Sequence, residues 1–314
     1  MTMGMQKSNA KLWRQNFWRH MLRDKYLLLM ALPATLYFLI FSYYPMYGVV
    51  IAFKNFMPGQ TIMGSPWVGL ENFREFFNGY YFSRLLKNTL FISLYSLLWG
   101  FPLPIVFALM LNEFREGPFK RGIQTVSYLP HFVSLVVICG MIIDFLSPRS
   151  GLINTIIRAC GGKPINFLSM PQYFRTIYVA SGIWQEFGWN SIIYLAALSG
   201  VDQQLYEAAR IDGAGRWKQL LHVTLPAIQP TIVLLLIMSL GNIMSVGFEK
   251  IILLYNSSTY ETADVISTYV YRMGLQSMRY SYSAAVGLFN SFINIIVLVI
   301  ANTLSRRITG SSIW

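Results

Sequence analysis

Residues 202–226 read DQQLYEAARIDGAGRWKQLLHVTLP and form a polar connection between two long apolar runs. Asp202 is a residue type that caps the N-terminus of a helix, and Gly213 is a type that ends one. The spacing therefore predicts a short helix between them. The flanking runs, 176–201 and 219–248, both exceed the roughly 20 apolar residues that a helix needs to cross a bilayer. We expect the short helix to lie across a membrane surface, between two spans.

Apolar runs of this length recur along the chain and predict six transmembrane helices. Only the fourth run contains a charged residue, Glu186. None shows the alternation of a barrel strand, and lipid leaves no water to hydrogen-bond an open backbone, so helices are expected throughout. The predicted spans are 26–53, 88–112, 122–143, 176–201, 219–248 and 280–305. The predicted fold class is an all-α polytopic membrane protein with its transmembrane domain at 26–305.

The composition agrees with a chain that faces lipid. Hydrophobic residues make up 54% of the chain and charged residues 12%, about half the charged share of a typical soluble domain. The formal net charge is +12, but its lysines and arginines are spread over many short connections. This distribution is typical of membrane topology and argues against a nucleic-acid partner.

The placement of Lys and Arg predicts the orientation. The N-terminal tail, the second and fourth connections and the C-terminal end carry 14 Lys and Arg in about 60 residues, against 11 in about 97 residues elsewhere. The denser set marks the cytoplasmic side, so the tails 1–25 and 306–314 and the connection 202–218 are expected inside. No cleavable signal peptide is expected, because about 25 polar and basic residues precede a first apolar run that is longer than a signal core.

Two external connections are predicted to contain surface helices. Apolar residues recur at helical spacing after Glu249, and the segment 151–157 has a similar pattern. The first set comprises Val265, Ile266, Tyr269, Val270 and Met273.

The polar connection also carries a family motif. Glu207-Ala208-Ala209, three further residues, Gly213, nine residues, Val223 and then Leu225-Pro226 resemble the signature loop of binding-protein-dependent ABC permeases, with Val223 where isoleucine is usual. In that family the short helix sits in a groove of a cytoplasmic ATPase and transmits its opening and closing to the membrane helices. The resemblance implies an ATPase-coupling set of Leu205, Glu207, Ala208, Ala209, Asp212 and Gly213.

The resemblance extends over most of the chain. The segments 41–47, 65–73, 184–198, 247–249 and 263–271 are similar to those of LplB-type polysaccharide permeases, which include importers of alginate and other oligosaccharides. This likeness implies the helical core of the maltose importer's membrane subunits and a place in the bacterial cytoplasmic membrane. It also implies a second, non-identical permease, two ATPase subunits and an external solute-binding protein.

The chain itself is not expected to be an enzyme or to hold a cofactor. It lacks the Gly-x-x-x-x-Gly-Lys-Ser/Thr loop that cradles phosphates, and the fragment Gly162-Lys163-Pro164 has neither its spacing nor its hydroxyl. ATP and Mg²⁺ are therefore expected on the partner ATPase. The histidines His20, His131 and His222 are too scattered to predict a metal site, and no carboxylate pair is placed for glycoside hydrolysis.

Polar groups inside the spans predict where a sugar passes. Such groups are costly in lipid and tend to face a cavity or another helix, while aromatic faces stack on sugar rings. Glu186 is the outlier, and its alternatives are a pair with a cation on the sister subunit or a buried, protonated acid. The candidate lining is Trp184, Gln185, Glu186, Trp189, Asn190, Tyr194, Ser239, Asn242, Asn290 and Asn294.

The sequence leaves the cargo and two other classes of protein open. An acidic cargo such as alginate fragments follows from the family resemblance, but Glu186 would repel a polyuronate unless it were paired or protonated, so neutral oligosaccharides remain an alternative. A secondary transporter would usually have more spans in two related halves. A membrane enzyme of glycan metabolism would cluster acid, base or metal ligands at one membrane face. Six spans with a coupling loop favour the ABC permease.

Overall fold

The computed structural model describes residues 23–309. The cations Lys7, Lys11, Arg14 and Arg19, together with His20 and residues 310–314, lie outside the described residues. Within the described range the regular structure is helical, and extended pairing is limited to one antiparallel bridge between Lys54 and Trp67. The predicted all-α fold is confirmed.

The helices are labelled in chain order. Several of them contain a short π or 3₁₀ turn that continues the same helix. They are α1 (Lys25–Phe53), α2 (Glu71–Asn78), α3 (Phe82–Glu113), α4 (Pro118–Phe132), α5 (Leu135–Leu146), α6 (Leu152–Ala159), α7 (Pro171–Ser199), α8 (Gln203–Ile211), α9 (Arg216–Gly241), α10 (Phe248–Leu254), α11 (Tyr260–Ala263), α12 (Ile266–Tyr271) and α13 (Tyr280–Thr309).

Four helices of the described chain are long and apolar enough to cross a membrane, namely α1, α3, α9 and α13 within Tyr280–Arg307. A fifth span results if the bent pair α4 and α5 is counted as one. Helix α7 has 29 residues, or about 43 Å at 1.5 Å per residue, which is long enough to cross. It carries Arg175 and Glu186 and is less apolar. Six spans are compatible with this architecture, and the count stays a prediction.

The third predicted span is not one straight helix. The chain bends by 100° between α4, which ends at Phe132, and α5, which begins at Leu135. Ser134 lies at the break in extended conformation, and its side chain accepts a hydrogen bond from the Val137 N–H, so α5 has its own N-cap. A capping serine at the break thus accompanies the bend.

The fifth predicted span also ends earlier than the apolar pattern suggested. Helix α9 stops at Gly241, and residues 242–247 form turns and irregular backbone before α10 begins. Asn294 of α13 stabilises this break, because its Oδ1 accepts from the Met244 N–H at 2.9 Å and its Nδ2 donates to Ser245 Oγ at 3.0 Å. A side chain 50 residues away thus replaces the missing helical partner.

Helix α7 lies at the centre of the packing. It runs along α3, and it also contacts α4, α9 and α11. At Gly188 a side chain would collide with the backbone of Ser127, so glycine permits the close approach of α7 and α4. An apolar cluster around the last turns of α7 joins it to α3 and α9 and comprises Ala108, Tyr194, Leu198, Val201 and Ile228.

The opposite end of α7 is held by a buried polar network, which we call the Asp264 cluster. Asp264 is fully buried, and its carboxylate accepts from Arg272 at 2.7 and 3.1 Å and from the Thr268 hydroxyl at 2.9 Å. Arg84 of α3 lies 3.7 Å from the same carboxylate. Asn88 of α3 donates to the backbone of Glu261 and Asp264 and accepts from Arg175 of α7 at 2.7 Å. The cluster is Arg84, Asn88, Arg175, Asp264, Thr268 and Arg272.

Both predicted surface helices exist, but they differ in burial. Helix α12 contains Ile266, Tyr269 and Val270 of the predicted set, with Val265 at its N-cap and Met273 in the π turn that follows, and it is packed inward, with Val265 and Ile266 fully buried. Helix α6 keeps its apolar residues Leu152 and Ile156 exposed. The same periodic pattern therefore produced one internal helix and one surface helix.

Candidate substrate cavity and coupling helix

One face of α7 lines a cavity of about 810 Å³. Tyr178, Gly182, Glu186, Asn190 and Tyr194 recur every four residues along this face, which places them in one row on a helix. Residues of α3, α9 and α10, the break between α9 and α10, and Leu135 of α5 form the rest of the wall. A row of hydroxyl, carboxylate and amide groups can hydrogen-bond the hydroxyls of a sugar.

The structure brings most of the predicted lining residues to this cavity. Those that line it are Gln185, Glu186, Asn190, Tyr194, Ser239 and Asn242. Those that lie elsewhere are Trp184, Trp189, Asn290 and Asn294. Sugar contact by any of them stays a prediction.

The residues away from the cavity have other surroundings. The ring of Trp189 stacks on that of His131, with centroids 4.4 Å apart and planes inclined by 3°. Asn294 supports the break after α9, as described above. The side-chain oxygen of Asn290 is buried and lacks a hydrogen-bond partner within the described residues. Amide side chains inside a helical bundle hydrogen-bond either neighbouring helices or a ligand, and Asn294 hydrogen-bonds the neighbouring chain segment.

Glu186 has a partner within this chain. Its Oε2 lies 2.9 Å from Nδ1 of His131, which stands in the last turn of α4 just before the bend. The His131 and Glu186 side chains are 29% and 42% exposed, and Glu186 is the member of the pair that lines the cavity. The sequence placed His131 only among scattered histidines, because the fold alone brings residues 55 positions apart into contact.

Lys250 is a second charge on this wall, and sequence reasoning missed it. Its Nζ donates to the backbone carbonyl of Tyr178 at 3.2 Å and lies 5.1 Å from the centroid of the Tyr178 ring. Burial lowers the pKa of the Lys250 ammonium to about 8, although Cys139 and Glu186 act in the opposite direction. The sequence did show a lysine two residues after the fifth apolar run. It was not considered as a cavity residue, because the chain after that run was assigned to the exterior.

The predicted short helix forms as α8. The Asp202 carboxylate accepts from the Gln204 N–H at 2.9 Å and caps its N-terminus. At its C-terminus Gly213 has a φ of +72°, the N–H of Ala214 donates to the Ala209 carbonyl, and that of Gly213 donates to the Arg210 carbonyl. This is a Schellman ending, which favours glycine at the left-handed position. No residue of α8 is buried.

A tyrosine attaches α8 to the membrane helices. The Tyr206 hydroxyl lies 3.0 Å from Thr224 Oγ1 near the start of the apolar part of α9, and its ring packs against the apolar cluster at the end of α7. Leu205 and Ile211 remain exposed on the other side of the helix. The coupling set predicted from the sequence omitted Tyr206, because its role depends on a contact with α9.

Comparison with known proteins identifies the family. Residues 100–310 match the family described as "Binding-protein-dependent transport system inner membrane component". The chain belongs to this family. It is a transporter membrane component and not an enzyme, and the match includes both the cavity face of α7 and the short helix α8.

Two proteins of Bacillus subtilis resemble the chain over nearly its full length. It is 46% identical over 294 residues to the polygalacturonan/rhamnogalacturonan transport system permease protein YteP of Bacillus subtilis, covering 94% of this chain and 92% of the relative. It is 47% identical over 285 residues to protein LplB of the same organism, covering 91% and 90%. The predicted LplB-type resemblance is confirmed.

Solved structures give the same result. A chain of a bacterial ABC transporter involved in the import of the acidic polysaccharide alginate superposes with a TM-score of 0.87 and 46% identity, covering 94% of this chain and 99% of that chain. A second structure of the bacterial alginate transporter, in complex with an alginate pentasaccharide-bound periplasmic protein, matches equally well. The ABC permease fold is confirmed over the secondary transporter and membrane enzyme alternatives.

Proposed function

We propose that this chain is the permease subunit of an ATP-driven importer that carries an acidic oligosaccharide across the bacterial cytoplasmic membrane. The observation that carries the proposal is the pairing of Glu186 with His131 on a wall that also presents Lys250. Glu186 was the sequence argument against a polyuronate, and a protonated His131 beside it would offset part of that repulsion. The polygalacturonan/rhamnogalacturonan permease and the alginate transporter support an acidic cargo.

The same proposal includes the partners. A second, non-identical permease would complete the cavity, and an external binding protein would deliver the sugar, as in the alginate transporter bound to its periplasmic protein. Two ATPase subunits would hold ATP and Mg²⁺ and would receive α8 in a groove. Leu205, Glu207, Ala208, Ala209, Asp212 and Gly213 would form that contact, which the exposure of α8 supports. Both tails and α8 would then be cytoplasmic.

Uptake by the complete transporter in proteoliposomes tests this function. We expect import of an oligouronate, stimulation of ATP hydrolysis by the loaded binding protein, and no ATPase activity from this chain purified alone. Hydrolysis by the single chain would contradict the assignment of ATP to a partner. Import of neutral oligosaccharides with none of the oligouronate would exclude the acidic cargo and retain the permease.

A further inference from the structure

Lys250 differs from the other buried lysines of the described chain in the number of hydrogen-bond acceptors and counter-ions around its ammonium. Lys54 donates to two backbone carbonyls, those of Ile62 and Met63, both at 2.9 Å. Lys120 forms an ion pair with Glu116. Lys250 is only 6% exposed, yet it has a single acceptor, the Tyr178 carbonyl, and no carboxylate within 4.0 Å among the described residues. An ammonium has three donors, so two remain for a ligand.

The position of this ammonium relates it to the cavity. A Cβ placed on Gly182 would lie 3.3 Å from Lys250 Nζ, so the charge rests against the cavity face of α7 at that residue. Glu186 is one helical turn farther along the same face, about 6 Å in rise. A desolvated cation without a counter-ion is costly and becomes favourable when an anion approaches it. The cavity therefore offers a buried cation, and its lining also contains the paired carboxylate of Glu186 and the carboxylate of Glu249.

We propose that Lys250 is a specificity-determining residue whose ammonium binds a carboxylate of the sugar as it passes along α7. This inference rests on the proposed acidic cargo. Glu186, held by His131, then has a separate role, because its acceptor oxygens suit hydroxyl groups of the same sugar. The two charges would position an acidic sugar unit with its carboxylate toward α10.

The protonation of Lys250 supports the proposal and supplies a readout. With its pKa lowered to about 8 by burial, the group is mostly charged at neutral pH and loses its charge as the pH rises through that value. The titratable groups that face it are Cys139 of α5 and Tyr178 and Glu186 of α7. A uronate carboxyl keeps its charge throughout this range, so a fall in acidic-sugar import near pH 8 would come from the protein.

A purely structural role predicts a different result. The hydrogen bond to the Tyr178 carbonyl also fastens α10 to α7. If Lys250 served only that purpose, its loss would reduce the import of acidic and neutral sugars in the same proportion. The ratio of the two rates separates the roles even when a variant assembles poorly.

The test measures initial uptake of trigalacturonate and of its methyl ester by the complete transporter with its binding protein. We expect Lys250→Met to lower the acid-to-ester ratio by about tenfold, as for the loss of one charge-assisted hydrogen bond. Lys250→Arg should preserve the ratio and also maintain it at about pH 9, where the wild type declines, because a guanidinium stays charged. Lys54→Met, which removes a buried lysine outside the cavity, should leave the ratio unchanged.

The outcomes distinguish this inference from the function on which it rests. A wild type that imports no trigalacturonate contradicts the proposed acidic cargo and the role of Lys250 together. A wild type that imports the acid, with an unchanged ratio in Lys250→Met, overturns the role of Lys250 alone. An equal fall of the ratio in Lys54→Met would overturn it as well, since the effect would not depend on the cavity.

Discussion

The residues at the two ends of α7 differ in how far they are buried within this chain. At the end that begins with Pro171, the Asp264 cluster buries an aspartate, an asparagine and a threonine and connects α3, α7 and α12 by hydrogen bonds. At the end that leads into α8, this short helix buries none of its residues and exposes Leu205 and Ile211. The polar groups of the first end pair with one another within this chain, except for Arg84 Nε, which is buried without a hydrogen-bond partner among the described residues. The second presents apolar side chains that a partner would cover, which is the arrangement expected of a subunit that receives motion from an ATPase.

The largest expected effect is a loss of stability at the end of α7 that contains the Asp264 cluster. Asp264→Ala would leave Arg272 and Arg84 without their shared carboxylate in a buried site, and breaking such a pair costs about 3–5 kcal/mol. We expect a markedly lower unfolding temperature for the purified complex in detergent. Glu75→Ala is the control, because it removes the partner of Arg279 from an exposed ion pair worth about 0–1 kcal/mol. Equal losses in the two variants would mean that the Asp264 cluster adds nothing beyond an ordinary surface pair.

The next effect is at the open end and concerns function. Glu207→Lys reverses a charge on the exposed helix α8, where surface substitutions change stability by less than about 0.5 kcal/mol. We expect the complex to retain its unfolding temperature and to lose stimulated ATPase activity and uptake by about tenfold or more, because like charges across a contact are repulsive. Glu113→Lys makes the same charge change on α3, beside Arg216 and outside α8, and should leave coupling intact. Normal uptake in Glu207→Lys would argue that α8 is not the transmitting contact.

A smaller effect is expected from the turn that ends α8. Gly213 has a φ of +72°, a conformation that costs a β-branched residue about 1–2 kcal/mol, so Gly213→Val should distort the Schellman ending and weaken coupling. Gly215→Val is a matched control two residues away. Gly215 has a φ of −69°, and an added Cβ would meet nothing within 4 Å. Uptake and stimulated ATPase activity should fall in the first variant and persist in the second. Matching losses would attribute the effect to side-chain bulk and not to backbone conformation.

The contrast between the two ends also explains what the sequence could predict. Helix α8 was predicted with its cap at Asp202 and its end at Gly213, because both features depend on residues within one or two turns. The identity of Glu186 as a cavity residue followed from the cost of a charge in an apolar run.

What could not be predicted depends on contacts between distant residues. His131 meets Glu186 across 55 positions, and Lys250 reaches the carbonyl of Tyr178 across 72. The bend before Leu135 is an exception, because its Ser134 cap is local and was missed only because a count of apolar residues takes no account of a single capping serine. Val265 and Ile266 were assigned to a surface helix because the sequence does not show that α3 and α13, which are distant along the chain, cover them.

The smallest expected effect concerns the contact that attaches α8 to α9. The Tyr206 hydroxyl and Thr224 Oγ1, 3.0 Å apart, form a side-chain hydrogen bond between α8 and α9, and a single bond of this kind contributes about 0.5–1.5 kcal/mol. Tyr206→Phe removes the hydroxyl and keeps the ring in the apolar cluster at the end of α7. We expect little change in assembly and a partial loss of coupling, because α8 would follow α9 less closely when the ATPase moves it.

A double-mutant cycle with Thr224→Val isolates this contact, since Thr224 also donates to the Gln219 carbonyl at 3.3 Å and its replacement has a cost of its own. Measured on unfolding free energy and on the ratio of uptake to ATP hydrolysis, the two changes should be non-additive, with the second adding little coupling loss to the first. Additive losses would mean that the hydroxyls act independently. The packing of the Tyr206 ring alone would then attach the coupling helix to the membrane helices, and Tyr206→Ala, which removes the ring as well, would be the variant that uncouples the transporter.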